Sequence, residues 1–392
     1  MSVEGSTKRA VIITENQYPC EDAGAIRQHA TAKILEQLGY SVIVVGYGKS
    51  TNKKILSYDG IEYISFRPKS TNKLIRAIYR LSASSRMMHF VKKQCKDAAL
   101  ILVADVYPPT FKALNKYSQN KDFILVHDSV EWFSPEQFEK GERSKAYIMR
   151  DQTNKELVGK GWRVMAISSY LEEHFSKTSD GAVRIPVIMD VDSIECNLKP
   201  GADGDIIKFA YVGSPGRKDY LKNIIEGFGL LSKEDLGKVE LHIVGVNKQQ
   251  LVSVCGVEEK SLEMLRDVLT AHGRVPHDDA IRFVRDADYT LLFRDANLRY
   301  AKAGFPTKIV ESLSSGTPPV CNLSSDLGLY LKDGENSYLA EDHSPESVKI
   351  ALEKAINTSS QHRGEMRANA RKTAEDSFDY RLYKDKINTF LG

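Results

Sequence analysis

Short apolar runs recur along this chain, each followed by a loop and then by a stretch with helical spacing, and that alternation admits few folds. Residues 9–14 read as a strand, 26–38 as a helix stopped by Gly39, and 42–45 as the next strand. A strand, helix, strand order of this kind needs a crossover connection, so the strands pair in parallel. Residues 100–104, 123–126 and 164–167 are continuously apolar, as expected of parallel strands buried on both faces. The turn signal Tyr107-Pro108-Pro109 separates the first two of them.

At residues 195–205 the composition shifts to Asn, Lys, Pro, Gly and Asp, which reads as a linker, and a second series begins beyond it. Its strands are expected at 207–212, 239–244, 289–293 and 319–321, with helical patterns between them. A chain of 392 residues with 42% hydrophobic content can bury two cores. Two doubly wound sheets are therefore more economical than one very wide sheet. The expected division is 1–195, 205–375 and a C-terminal amphipathic helix, 378–391, within 376–392. Repeats of 20–50 residues are not evident.

The five cysteines, Cys20, Cys95, Cys196, Cys255 and Cys321, stand singly, which argues against a disulfide framework and against a zinc cluster. Neither a signal peptide nor an apolar run of membrane-spanning length is present, so a cytoplasmic protein, at most peripheral to a membrane, is expected. Residues 1–200 carry 29 Lys and Arg against 23 Asp and Glu, net +6, whereas 201–392 are net −3, so an anionic surface would meet the first half. Within that half, residues 73–96 hold Lys73, Arg76, Arg80, Arg86, Lys92, Lys93 and Lys96 without an acid, interleaved with apolar side chains. Such segments either lie on anionic bilayers or pack as surface helices on their own sheet. Thin aromatic interleaving and near-neutral overall charge argue against nucleic acid.

The most informative stretch is residues 305–320, Phe-Pro-Thr-Lys-Ile-Val-Glu-Ser-Leu-Ser-Ser-Gly-Thr-Pro-Pro-Val. Pro306 suits the first turn of a helix and Gly316 its end, which places Glu311 mid-helix among Ser312, Ser314 and Ser315. Small residues let such a helix approach a sheet closely. A carboxylate there can accept hydrogen bonds from both hydroxyls of a ribose, or it can be an ordinary solvated glutamate. Residues 213–218, Gly-Ser-Pro-Gly-Arg-Lys, follow the first strand of the second series. A short loop bearing Arg217 and Lys218 before a helix supplies positive charge and N–H donors, as a pyrophosphate leaving group requires, unless it is only a solvated basic turn.

These two segments resemble the signature elements of the retaining glycosyltransferases of family 4, within the glycosyl transferases group 1 class, which have the GT-B fold of two Rossmann-like α/β domains facing across a cleft. In that family a Glu-x7-Glu motif precedes Ala-x-x-x-Gly-x-Pro-Val. Glu311 matches the second Glu, which binds the ribose, whereas Ala303 stands where the family has its sugar-contacting Glu. The family's Arg directly after Gly213 is Ser214 here, which leaves Lys218, then Arg217, as the implied phosphate ligands. Gly304, Phe305, Thr307 and Lys308 are implied to border the diphosphate, and the turn at Gly273, Arg274 and Val275 to read the base. In the first domain the resemblance implies that Gly24 faces the donor phosphates and that His127, ending a strand, faces the reacting sugar, with Asp128 and Glu131 as further candidates and Asp105 ending the preceding strand. Residues 166–171 are similar to the family's Val-Ser-x-x-Leu turn.

The activity so implied is transfer of a hexosyl or related sugar from a nucleoside diphosphate sugar, with UDP as the commonest carrier, to a hydroxyl of a glycan or lipid-linked acceptor, with retention. The setting is polysaccharide or glycoconjugate biosynthesis at the inner face of the membrane. Acceptor binding falls to 1–195 and donor binding to 205–375, with the last helix crossing back to the first domain. Catalysis without a metal or a cofactor is expected, since Asp190-Val191-Asp192 lies in what resembles the family's inter-domain turn. Ala303 leaves open a non-catalytic accessory subunit, and the fold leaves open an epimerase or hydrolase of sugar nucleotides.

Overall fold

The chain forms two units, Met1–Met189 with Tyr380–Gly392, and Asp190–Asp379. The computed structural model describes residues 8–392 apart from 20, 21, 49, 120 and 200, so Cys20 and the residues before Lys8 lie outside the described part. Among the described residues Cys95, Cys196, Cys255 and Cys321 are free thiols, and no helix is long and apolar enough to cross a membrane.

The first unit is built on β1 (Lys8–Thr14), β2 (Tyr40–Gly46), β3 (Leu56–Tyr58), β4 (Ile61–Ser65), β5 (Ala98–Ala104), β6 (Ile124–Ser129), β7 (Arg163–Ala166) and β8 (Gly181–Arg184). They form one sheet in the order β3-β4-β2-β1-β5-β6-β7-β8. Only β3 is antiparallel to its neighbour. Ala10, Ile12, Leu100, Leu102 and Val126 are buried in the core of this sheet. The β3–β4 hairpin turns at Asp59 and Gly60, both with left-handed φ, 47° and 81°, as a tight two-residue connection requires.

The second unit contains β9 (Ile207–Val212), β10 (Val239–Val244), β11 (Leu269–Gly273), β12 (Tyr289–Leu292), β13 (Pro319–Asn322) and β14 (Tyr338–Ala340), all parallel, in the order β11-β10-β9-β12-β13-β14. In both sheets the order reverses in the middle, between β1 and β5 and between β9 and β12. Connections diverge at such a switch point and leave a crevice beyond the carboxyl ends of the strands.

The expected terminal helix over 378–391 is shorter than its apolar spacing suggests. Phe378 caps the helix Ser360–Ser377 and is fully buried, with its ring 5.7 Å from Phe305 and 4.7 Å from Tyr330. A 3-10 turn, Tyr380–Tyr383, follows, and the α-helix proper is Lys384–Leu391. Its Ile387 and Leu391 join the core of the first unit, where Arg163 donates to the carbonyls of Phe390 and Leu391 at 2.7 and 2.5 Å.

Candidate functional site

In the second unit the chain leaves β9 through Gly213, whose φ is +130°, a value that L side chains rarely adopt. The Gly213 N–H donates to the Val244 carbonyl at 2.9 Å, and a β-carbon on the neighbouring Gly245 would overlap the Gly213 carbonyl. Glycine at both places therefore lets the two strand ends close on each other. The following turn bonds back on itself, the Lys218 and Asp219 N–H groups donating to the Pro215 carbonyl at 3.1 and 3.3 Å. Tyr300 Oη holds the Lys218 carbonyl at 2.7 Å. Ser214 and Arg217 are exposed and Lys218 is half-buried.

Helix Thr307–Ser314 begins at Pro306 and ends at Ser315 and Gly316, where φ is +69°. Its close approach to the sheet rests on Ser312, whose hydroxyl meets Thr290 Oγ1 at 2.5 Å and donates to the Thr317 carbonyl at 2.6 Å. The first-turn N–H groups of such a helix lack intrahelical acceptors and favour anions. Glu311 lies on this helix, and burial pushes its carboxyl up to about 7, against the pull of the Lys308 charge.

Lys308 departs from its expected part as a phosphate ligand. Its ammonium donates to Tyr211 Oη at 2.7 Å and pairs with Asp219, because its stem passes directly over Gly213, where a β-carbon would overlap Lys308 Cε. Lys308 thus ties the Glu311 helix to the Gly213–Asp219 turn. Carboxylate and cationic turn consequently share one end of the sheet. Asp219, with a side chain only 2% exposed, also accepts from Tyr211 Oη at 2.8 Å and from Arg294 Nε at 2.9 Å. The Lys308 and Arg294 charges hold it at about 2 despite its burial.

Phe305 also differs from a simple ligand. Its ring is buried against Tyr330 and Phe378, so only its backbone is available. Gly304 is buried and Thr307 half-buried beside it, and Ala303 is fully buried. Arg274 is exposed and Val275 half-buried at the end of β11. Val275 opens a groove of about 480 Å³ between that sheet edge and helix His277–Asp286, lined also by His242, His272 and Phe283. Asp190, Asp192 and Asp379 bring carboxylate oxygens within 4.8 Å of one another elsewhere in this unit.

In the first unit Gly24 is the second residue of helix Ala23–Gln37. A β-carbon there would overlap the side chain of Asn16, so glycine seats the loop after β1 against the helix. Asp22 caps the helix by accepting from Ala25 N at 2.8 Å and also holds Gln17 N at 2.7 Å.

His127 and Asp128 do not sit at the open tip of β6. The His127 ring is buried edge-on to Phe111 and Phe175, with Nδ1 3.3 Å from the Val103 carbonyl. Burial lowers it to about 4, so the imidazole is neutral near pH 7. Asp128 has a structural partner in place. Its carboxylate is fully buried and takes Arg27 Nε at 3.0 and 3.1 Å and Nη2 at 2.8 Å. Arg27 in turn donates to the carbonyls of Ile185 and Pro186. The reason is electrostatic: a buried guanidinium requires a buried counter-charge.

His127 and Asp128 nevertheless border a small cavity that also receives Asp105, Glu131, Phe133 and Arg150. Asp105 follows β5 with φ +45°, a strained setting for a non-glycine residue, and accepts from Arg150 at 3.0 Å. Arg150 lies over Phe133, 4.5 Å from its centroid. Glu15, after β1, pairs with Arg80, and burial raises its carboxyl. Sequence reasoning missed Arg27, Arg80, Arg150, Asp219 and Arg294 as parts of these arrangements. The legible signal for Arg294 was a charge placed directly after a buried apolar strand.

Residues 197–373 match the sequence profile of the Glycosyl transferases group 1 family. An uncharacterized glycosyltransferase of Methanocaldococcus jannaschii is 24% identical over 227 residues, which cover 55% of this chain and 53% of that protein, so the chain spans about half the length of the curated relative it matches. Among solved structures, sucrose-phosphate synthase from Thermosynechococcus elongatus superposes with a TM-score of 0.73 at 14% identity, over 97% of this chain and 98% of that one. WaaG, a glycosyltransferase involved in lipopolysaccharide biosynthesis, gives 0.66 at 15% over 97% and 99%. Anabaena HepE in complex with UDP and glucose gives 0.64 at 15% over 98% and 99%. The chain therefore has the two-domain GT-B fold, and its second unit carries a Glycosyl transferases group 1 domain.

Proposed function

We propose that this protein is a glycosyltransferase of family 4 type that moves a hexosyl or related sugar from a nucleoside diphosphate sugar, with UDP as the carrier, to an acceptor hydroxyl with retention. The observation that carries this reading is the joining, through Lys308, of the Glu311 helix to the Gly213–Asp219 turn at the β9/β12 switch point. Glu311 would accept the ribose hydroxyls. Lys218, Arg217 and the first-turn N–H groups of helix Thr307–Ser314 would take the diphosphate. The turn at Arg274 and Val275 is the place assigned to the base. A neighbour crystallised with UDP, Anabaena HepE, supports the choice of nucleotide. Positive side chains would stabilise the leaving diphosphate in place of a metal ion. With Ala303 buried, the donor sugar must be read by groups other than that position.

The acceptor we assign is glycan or lipid-linked, met at an anionic membrane surface in polysaccharide or glycoconjugate synthesis on the cytoplasmic side. Helix Lys73–Leu81 supports this part, because it buries none of its residues and leaves Leu74 69%, Ile78 52% and Leu81 87% exposed beside Lys73 and Arg76. Incubating the protein with labelled UDP-, GDP- or dTDP-sugars and candidate acceptors tests the whole reading. Sugar on the acceptor supports it. A free or altered sugar indicates an epimerase or hydrolase, and no binding of any nucleotide sugar indicates an accessory subunit.

A further inference from the structure

The central crevice of the second unit holds one more cation than the motifs supply. β12 lies next to β9 in mid-sheet, and the chain leaves it through Phe293 and Arg294. The Tyr220 N–H donates to the Phe293 carbonyl at 3.0 Å, which fastens the end of the Gly213 turn to this exit. The Arg294 backbone is clamped on both sides by Asn322, whose Oδ1 accepts from Arg294 N at 2.9 Å and whose Nδ2 donates to Arg294 O at 2.8 Å. Its side chain, 12% exposed, gives Nε to Asp219 Oδ1 at 2.9 Å. The other Asp219 oxygen takes Lys308 and the Tyr211 hydroxyl.

One carboxylate, Asp219, is shared by two cations, Lys308 and Arg294, and the Glu311 carboxyl lies close enough to feel the Lys308 charge. A guanidinium held through Nε has its outer Nη edge turned away from that anchor, and the Arg294 Nη atoms make no hydrogen bond among the described residues. An anchored fork with a free edge matches the bidentate geometry of phosphate oxygens. Position 214, directly after Gly213, contributes only a serine.

We propose that Arg294 binds the diphosphate of the donor, and that Asp219 is the positioning residue that aims it. This rests on the nucleotide-sugar reading above. Asp219 fixes the plane of the guanidinium and occupies Lys308, so the two cations do not compete for one phosphate oxygen. The arrangement selects nucleoside diphosphates over nucleosides, because the base and ribose contacts lie on other elements.

Isothermal titration with UDP and with uridine separates the possibilities. Arg294→Met is expected to weaken UDP binding by about ten- to a hundredfold, the scale of a hydrogen bond to a charged group, and to leave uridine binding unchanged. Retained uridine binding also reports that the unit is folded. Should Arg294→Met fail to fold, Arg294→Lys keeps the charge but not the fork and is expected to lose at least fivefold for UDP alone. Asp219→Asn should lower UDP affinity in the Arg294 protein but add no further loss to Arg294→Met, whereas a merely structural role would lower both alike. UDP affinity within twofold of wild type in Arg294→Met or Arg294→Lys overturns the inference while leaving the proposed function standing. A wild-type protein that binds none of UDP, GDP and dTDP overturns both.

Discussion

Replacing Asp128 with asparagine should cost the first unit far more stability than a surface carboxylate would. The Arg27 and Asp128 side chains are 3% and 0% exposed, and three charge-assisted contacts of 2.8 to 3.1 Å join them. Asparagine leaves the guanidinium buried with only two backbone carbonyls and a neutral amide as acceptors. Breaking a buried pair in this way typically costs about 3–5 kcal/mol. The two remaining carbonyls place the expected loss near the lower end, about 3 kcal/mol. With a urea dependence of about 2–3 kcal/mol per molar, the unfolding midpoint of the first unit should fall by roughly 1 M. The double variant Arg27→Met/Asp128→Leu should lose less than Asp128→Asn alone, since no unpaired charge remains buried. Urea titration followed by tryptophan fluorescence is a suitable assay, because Trp132 and Trp162 both lie in the first unit. An unchanged midpoint for Asp128→Asn, combined with lost sugar transfer, would refute the structural assignment and return Asp128 to catalysis.

His127 predicts a second stability effect. Its folded value, about 4, lies below the ordinary 6.5, so the unfolded chain binds more protons between those values and stability falls as pH drops through that window. The full loss is about 3 kcal/mol, and unfolding of His127→Phe measured at pH 7 and pH 4.5 should lack most of that slope. Glu311 is shifted the other way: its folded value near 7 lies above the usual 4.5, so its ionised carboxylate forms only as pH rises through 7. Donor binding that needs the carboxylate should therefore strengthen as pH rises through 7, and Glu311→Gln should bind weakly with no such pH dependence when titrated between pH 6 and 8. For the membrane surface, Leu74→Ser/Ile78→Ser should reduce co-sedimentation with vesicles containing anionic lipid at least fivefold without changing the thermal midpoint, and an unchanged bound fraction would rule out that helix face.

The strands buried on both faces were legible because a continuous apolar run has few alternatives. β9 and β10 have the very bounds that their apolar residues suggest. Edge elements were not legible. β3 and β8 contain no fully buried residue, and β11 ends in Thr270, His272 and Gly273, so their patterns do not stand out from loops. At the candidate site, the helix of Glu311 and the turn after Gly213 could be read from proline, glycine and charge spacing. The partners of the charges could not. Asp219 meets Lys308 and Arg294 across 89 and 75 residues, and Asp128 meets Arg27 across 101, separations that carry no local signal. His127 and Asp128 illustrate the converse. Their place at the end of a strand suggests open exposure to a ligand, but the aromatic pair Phe111 and Phe175 and the guanidinium of Arg27 pack against them and leave only the edge of a small cavity.

Thermal unfolding with UDP-, GDP- and dTDP-sugars tests the central claim most directly, because a ligand at a hundred times its dissociation constant adds about 2.7 kcal/mol to the state that binds it. One nucleotide sugar, with UDP expected, should stabilise the wild type by that order, and Glu311→Ala should abolish the gain. Stabilisation by none of them, or an equal gain with Glu311→Ala, would contradict a nucleotide held at the end of β9 and β12.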